Sequence, residues 1–180
     1  MALKSTVFKA ELSIADIDRG YYRDHTLTVA RHPSETDERM MVRLLAFALH
    51  AGEGLEFGRG LSTDDEPDLW QRDLTGVIEK WIDVGLPDER DVRKACGRAR
   101  EVHVLAYGGR AVDLWWERVR DKLERQSQLA VAEVPAEASG ALARLAARSM
   151  RLQVTIQEGQ VHVADDTTSV PLELRVLKAP

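Results

Sequence analysis

Two aspartates, Asp68 and Asp83, lie in segments that otherwise read as neighbouring strands, "PDLWQRD" and "GVIEKWIDVG". Strands are poor in aspartate, so each placement asks for a reason. A hairpin with its loop at Thr75-Gly76 sets Leu69 opposite Ile82, Trp70 opposite Trp81, Gln71 opposite Lys80 and Arg72 opposite Glu79. Those four are good cross-strand partners. The same register brings Asp68 opposite Asp83, two like charges roughly 5 Å apart. A divalent cation turns that repulsion into ligation, because magnesium is held by one or two carboxylates while water and substrate phosphate complete its shell. Without a cation, the two acids need only splay into water at the strand ends, where repulsion is screened. Spacing leaves both readings open.

Other side chains could serve such a site, and each has a plainer use. Glu38 precedes Met41 and Leu45 by three and seven residues, so it sits above a buried stripe and can lean toward the sheet. It also suits the first turn of a helix as a complement to the dipole. Arg90, Lys94 and Arg98 recur every four residues and put three cations on one helical row. Phosphate would relieve their mutual repulsion, and so would solvent or acids from a neighbouring element. Arg31 and His32 end a strand at the edge of the expected cleft, where they could meet a phosphate oxygen or water. Arg39 and Arg43 form a ladder with Glu35 at four-residue steps. Asp64, Asp65 and Glu66 add negative charge just before Asp68, either near a cation or simply as an acidic loop. Trp70, Trp81, Trp115 and Trp116 read as core or near-core residues before any base stacking is invoked. Cys96 falls on an apolar helical stripe as a packing residue. No zinc-type spacing, phosphate-binding glycine loop or nucleophilic triad is present.

The elements that must hold these residues follow from periodicity. Thr6, Phe8, Ala10, Leu12 and Ile14 alternate with polar residues as a half-buried strand, and "DIDRG" turns it into a second strand, "YYRDHTLTVAR". "HPSETDERMMVRLLAFALHAG" predicts a helix with Ser34 as N-cap and Gly52 at its end. "LEFGRG" is a short strand ahead of the aspartate hairpin. "LPDERDVRKACGRAR" is a helix capped by Asp88, "EVHVLAYGG" an interior strand, "RAVDLWWERVRDKLERQ" a helix and "LAVAEV" a strand. "EASGALARLAARSM" is a fourth helix, and "RLQVTIQEGQVHVADDTTSVPLELRVL" a three-stranded meander. The expected architecture is one α+β domain over residues 1–180 with a single mixed sheet, an N-terminal hairpin and a C-terminal meander.

Bulk composition limits what such a domain can meet. The chain has 180 residues, is 44% hydrophobic and 31% charged, and carries a net charge of −5. It is long enough to bury a core without staples, and any nucleic acid must find a local patch rather than a basic field. One cysteine excludes an internal disulfide and fits a reducing cytoplasm. No apolar run approaches a membrane span or a signal peptide, so a soluble cytoplasmic protein without membrane contact is expected.

The blocks "ARHPSETDERMMVRLLAFAL", "DDEPDLW" and "WIDVGLPDERDVRKAC" resemble the bacterial YaeQ family, and the resemblance runs over essentially the whole chain. It implies the restriction-endonuclease-like fold, whose core runs helix, three-strand meander, crossover helix, strand, and whose nucleases carry a Pro-Asp…(Asp/Glu)-x-Lys signature. Pro67-Asp68 matches the first element and Asp83 the second acid, while Glu38 stands where such nucleases often keep a further acid. The lysine two residues after Asp83 is replaced by Gly85, and Lys94 on the following helix is its candidate substitute. The resemblance predicts fold better than function; together with the paired carboxylates it leads to the expectation of a magnesium-dependent nuclease or phosphodiesterase, with manganese able to substitute. Asp68, Asp83 and Glu38 would be metal ligands, Lys94 would stabilise charge, and Arg31, His32 and Arg90 would meet nucleic acid. The competing expectation is a non-catalytic binding or regulatory module that retains the fold, for which Gly85 and the acidic balance speak.

Overall fold

The protein is described by a computed structural model covering residues 4–59 and 65–180; Asp64 of the acidic loop lies outside the described residues. β1 (Thr6–Asp16) buries Phe8, Ala10, Leu12 and Ile14 on one face, as their alternation predicts. It pairs antiparallel with β2 (Tyr21–Arg31) in unbroken register. α1 (Asp37–His50) follows. Its cap is Thr36, whose Oγ1 accepts the Arg39 amide at 3.1 Å, rather than Ser34. Ser34 lies two residues ahead of that position, its hydroxyl 2.7 Å from His32 Nδ1.

Next come β3 (Leu55–Phe57), β4 (Leu69–Arg72) and β5 (Ile78–Val84), then α2 (Glu89–Cys96), β6 (Ala99–Ala106), α3 (Arg110–Leu123) and β7 (Leu129–Glu133). α2 is capped by Asp88 as expected, its side chain accepting from the Arg90 amide at 2.9 Å. α4 (Ala136–Ala143) is shorter than its sequence suggested, because Ser149 and Met150 already belong to β8 (Ser149–Gln157). β9 (Gln160–Ala164), β10 (Ser169–Glu173) and β11 (Arg175–Lys178) complete the chain.

These strands form two mixed sheets, where a single sheet was expected. The five-stranded sheet runs β10-β9-β8-β1-β2, with β1 parallel to β8. The six-stranded sheet runs β11-β7-β6-β5-β4-β3, with β5, β6 and β7 parallel and connected by the α2 and α3 crossovers. The C-terminal meander therefore ends at β10, and β11 crosses to pair with β7 in the other sheet. The run of helix, three strands, helix, strand from α1 to β6 stands in the expected order.

One apolar cluster joins the inner face of the five-stranded sheet, α1 and α4 to Leu69, Ile82, Val84 and Leu105 of the six-stranded sheet. A second covers the opposite face, where Trp70 and Trp81 meet Val92 and Ala95 of α2 and Val112, Trp115 and Val119 of α3. The layers are thus sheet, helices, sheet, helices. Trp116 is only partly buried, and Cys96 packs in the second cluster. Among the described residues no helix is long and apolar enough to cross a membrane.

Candidate functional site

The β4–β5 register is the predicted one for Leu69↔Ile82, Trp70↔Trp81 and Gln71↔Lys80. A bulge then shifts it, so Arg72 faces Ile78 and not Glu79. Their charges are satisfied elsewhere: Arg72 pairs with Glu56 at 2.8 Å, and Glu79 with Arg100 at 3.5 Å. The two indoles meet edge to face, 6.2 Å between centroids.

Just past the last ladder pair, the aspartates cap the hairpin's open end. Asp68 Oδ2 accepts the Val84 amide at 2.8 Å, and the Asp68 amide lies 3.4 Å from Asp83 Oδ1. Each carboxylate thus takes over an amide that the ladder leaves unpaired. Asp83 Oδ2 also accepts from Trp81 Nε1 at 2.9 Å. The approach of β3 sets the height of Asp68: Gly58 donates to the Asp68 carbonyl at 2.9 Å, and a Cβ there would lie 2.0 Å from the Pro67 oxygen. Only glycine fits that crossing.

The positive group beside the acids is Arg39. Its guanidinium spans Glu35 at 2.7 Å and Asp68 Oδ1 at 2.8 Å. Glu35 is itself buried against Arg43, with Nε–Oε2 at 2.9 Å, and Arg43 also donates to the Ala30 carbonyl. A chain of alternating charge therefore runs from the α1 interior to the hairpin end. The helical ladder foreseen in the sequence is real, but its tertiary arm to Asp68 is not visible in i,i+4 spacing. Burial works against the Arg39 charge, yet the flanking Asp68 and Glu35 carboxylates hold its guanidinium above its ordinary range. Asp83 has no such partner. Burial, and then the adjacent Asp68 charge, push its carboxyl up to about 6.

Both aspartates open into a cavity of about 430 Å³ at the carboxyl ends of the parallel strands β5 and β6, the usual ligand position for such strands. Its walls include Arg39, Gly85, Asp91, Lys94, Arg98 and Tyr107. Lys94 is the predicted cation that reaches it, its Nζ lying 3.3 Å from Asp65 Oδ1 on the exposed rim. Arg98 stacks over Trp81 at 5.0 Å and donates to the Asp65 carbonyl. Gly85 has φ +100°, a conformation that L side chains rarely adopt, so a lysine at this position would be strained. Burial raises the Tyr107 phenol, with the Arg39 charge opposing and Glu38 reinforcing that shift.

The remaining predicted residues do not line this cavity. Glu38 is half-buried in the first turn of α1, and its charge reaches the site through Tyr107. Arg31 is paired with Asp37 and lies over the Phe8 ring. His32 is engaged by Ser34. Arg90 is exposed on α2, 3.8 Å from Asp88. Arg39, Asp91 and Tyr107 are among the wall residues that sequence reasoning did not assign to the site.

Do these residues suit a divalent cation? Among the described residues no three His, Cys, Asp or Glu side chains converge in a way that could hold one. Two carboxylates do converge, and every one of their oxygens already takes one donor while keeping a further lone pair. That suits magnesium in its water- and phosphate-completed form and does not make a closed cage.

The family model described as "YaeQ protein" matches residues 1–174. "Uncharacterized protein YaeQ" of Escherichia coli (strain K12) is 44% identical over 180 residues, covering 100% of this chain and 99% of the relative. The Salmonella typhi protein of the same name is 43% identical over the same length. Among solved structures, the YaeQ protein from Xanthomonas axonopodis pv. citri superposes with a TM-score of 0.95 at 56% identity, covering 98% of this chain and 99% of that one. The one from Pseudomonas syringae gives 0.93 at 40% identity, with 98% and 97% covered.

Proposed function

The chain belongs to the YaeQ family, and we propose that its cleft is a magnesium-assisted phosphodiesterase site acting on nucleic acid, carried by a restriction-endonuclease-like core. The observation that supports this most is the Asp68–Asp83 pair. Two acids are held at the mouth of one cavity by β4 and β5, and Asp83, unlike Asp68, has no cation bonded directly to it among the described residues. Burial raises the Asp83 proton affinity despite its bonds to the Trp81 indole and the Asp68 amide, so the ionised carboxylate is held there at a cost. A cation between the two carboxylates relieves that penalty.

Bound there, magnesium would polarise a phosphate oxygen and lower the pKa of a coordinated water. The chain's own part is positional. Asp68 and Asp83 hold the cation, their orientation fixed by the Val84 amide and the Trp81 indole. Lys94 and Arg98, from one face of α2, line the same cavity and can meet phosphate oxygens as charge develops. Glu38 stands outside the wall as an outer acid on the Tyr107 side, and Arg90 extends the cationic row along exposed α2. Arg31 and His32 stay outside the cleft and would touch only a strand running past α1. The test is cleavage of single- and double-stranded DNA and RNA with magnesium or manganese. Activity is expected in the native protein and absent from Asp68→Ala and Asp83→Ala; unchanged activity in both variants refutes the reading.

A second reading, a non-catalytic binding or regulatory module, is favoured by one specific observation. Arg39 already neutralises Asp68, and Gly85 stands where the nuclease signature wants lysine. The same assay decides between them, since metal-dependent cleavage excludes the module and its absence on every substrate supports it.

A further inference from the structure

We propose that Arg39 is a built-in counter-ion for the carboxylate pair, one that a divalent cation must displace from Asp68 before the cleft can take phosphate. The proposal rests on the cation-site reading above and concerns how that site is gated.

Arg39 has two anionic partners, and they are unequal in what they bind besides. Glu35 is buried and clamped by Arg43, so it anchors the guanidinium whether or not Asp68 is engaged. Asp68 faces the cavity that Arg39 also lines. Releasing Asp68 Oδ1 therefore leaves the ladder on α1 intact and costs one contact, made through Nη2 alone. A guanidinium has five N–H donors, so Nη2 can turn toward a phosphate oxygen in the same cavity while Nη1 stays on Glu35. Charge counting agrees. Arg43, Glu35, Arg39, Asp68 and Asp83 together carry one net negative charge when all are ionised. A divalent cation reverses that sign, favouring a phosphodiester, whereas Arg39 alone does not. The Arg39 charge also bears on Asp83, opposing the rise in its proton affinity, so one residue acts on both ligands. In this role Arg39 is a positioning residue: it neutralises Asp68 until the cation replaces it.

The experiment is calorimetric titration of magnesium and of manganese into the native protein, Arg39→Gln and Arg39→Lys. Glutamine can still bond Glu35 but carries no charge, so it removes the competitor. Arg39→Gln is expected to bind at least about tenfold more tightly, because a unit charge a few ångströms from the cation shifts its equilibrium by that order or more. Arg39→Lys, which keeps the charge, should stay near the native affinity. A purely structural Arg39 predicts the opposite pattern, with both variants weakened alike. If the native protein binds the cation and Arg39→Gln binds it equally or more weakly, the counter-ion role is overturned while the cation site stands. If no form binds either metal, the cation-site reading itself fails and this inference falls with it.

Discussion

Replacing Asp83 with asparagine should stabilise the protein at neutral and alkaline pH. The native state holds a proton on Asp83 with an affinity of about 6, against an ordinary aspartate value near ~4 in the unfolded chain. The native state thus binds more protons than the unfolded state between those values, so stability falls as pH rises through this window. Above it, ionised Asp83 carries a standing penalty of roughly 3 kcal/mol, at about 1.4 kcal/mol per unit. Asparagine removes the charge. Its single oxygen must choose between Trp81 Nε1 and the Asp68 amide, both of which Asp83 now satisfies, and losing one such bond costs about 1 kcal/mol. The net expectation at pH 8 is a gain of about 1–2 kcal/mol, or about 2–8 °C in melting temperature for a chain of this size. At pH 4, where the native carboxyl is protonated, the gain vanishes and the lost acceptor leaves the variant slightly weaker. Urea denaturation at both pH values measures the double difference. Magnesium should add stability at pH 8 to the native protein and not to Asp83→Asn. A variant destabilised equally at pH 8 and pH 4 would show that Asp83 is an ordinary structural acid, and the argument for an undercompensated site would fail.

Three further outcomes are expected. Trp81→Phe removes the indole donor that holds the Asp83 proton affinity down, so the Asp83 carboxyl should titrate above its native midpoint when followed by carbon NMR; an unchanged or lower midpoint contradicts the hydrogen bond. Glu35→Gln leaves the buried Arg43 guanidinium without its counter-charge and should cost about 3–5 kcal/mol in urea denaturation; a loss below 1 kcal/mol on that scale would place Arg43 in water. Gly58→Ala pushes a methyl onto the Pro67 carbonyl and should cost about 1–3 kcal/mol, with amide shifts at Asp68 that a remote surface change would not give.

Much of the scaffold is legible in the chain because its periods are strong. Phe8, Ala10, Leu12 and Ile14 announce β1, and the matched indoles Trp70 and Trp81 fix the hairpin register that brings the acids together. What escapes sequence reading is set by tertiary competition. The bulge before Ile78 arises where Arg72 and Glu79 find other ion partners, and nothing in strand alternation signals it. Asp88 caps α2 with no rival acceptor in the residues just before it, whereas Ser34 and Thr36 both offer a hydroxyl ahead of α1 and the helix starts directly after Thr36. Arg39 is visible as a helix-ladder residue, yet its arm to Asp68 depends on how α1 docks against the β4 entry. No spacing rule reports that. Likewise β11 follows directly on β10 in the chain and still leaves its sheet to pair with β7, a choice of partner that local sequence does not report.

The parallel pairing of β1 with β8 has a consequence for how the molecule is made. Glu11 and Arg151 face each other across that seam, 140 positions apart in the chain. At a synthesis rate of ~5–20 residues per second, the first hairpin, complete at Arg31, waits about 6–24 s for Arg151 to be made. During that interval its inner strand presents an open edge, the kind of template that other chains can add to. The seam that joins the two ends of the chain in the finished sheet is thus an exposed edge while the chain is being made.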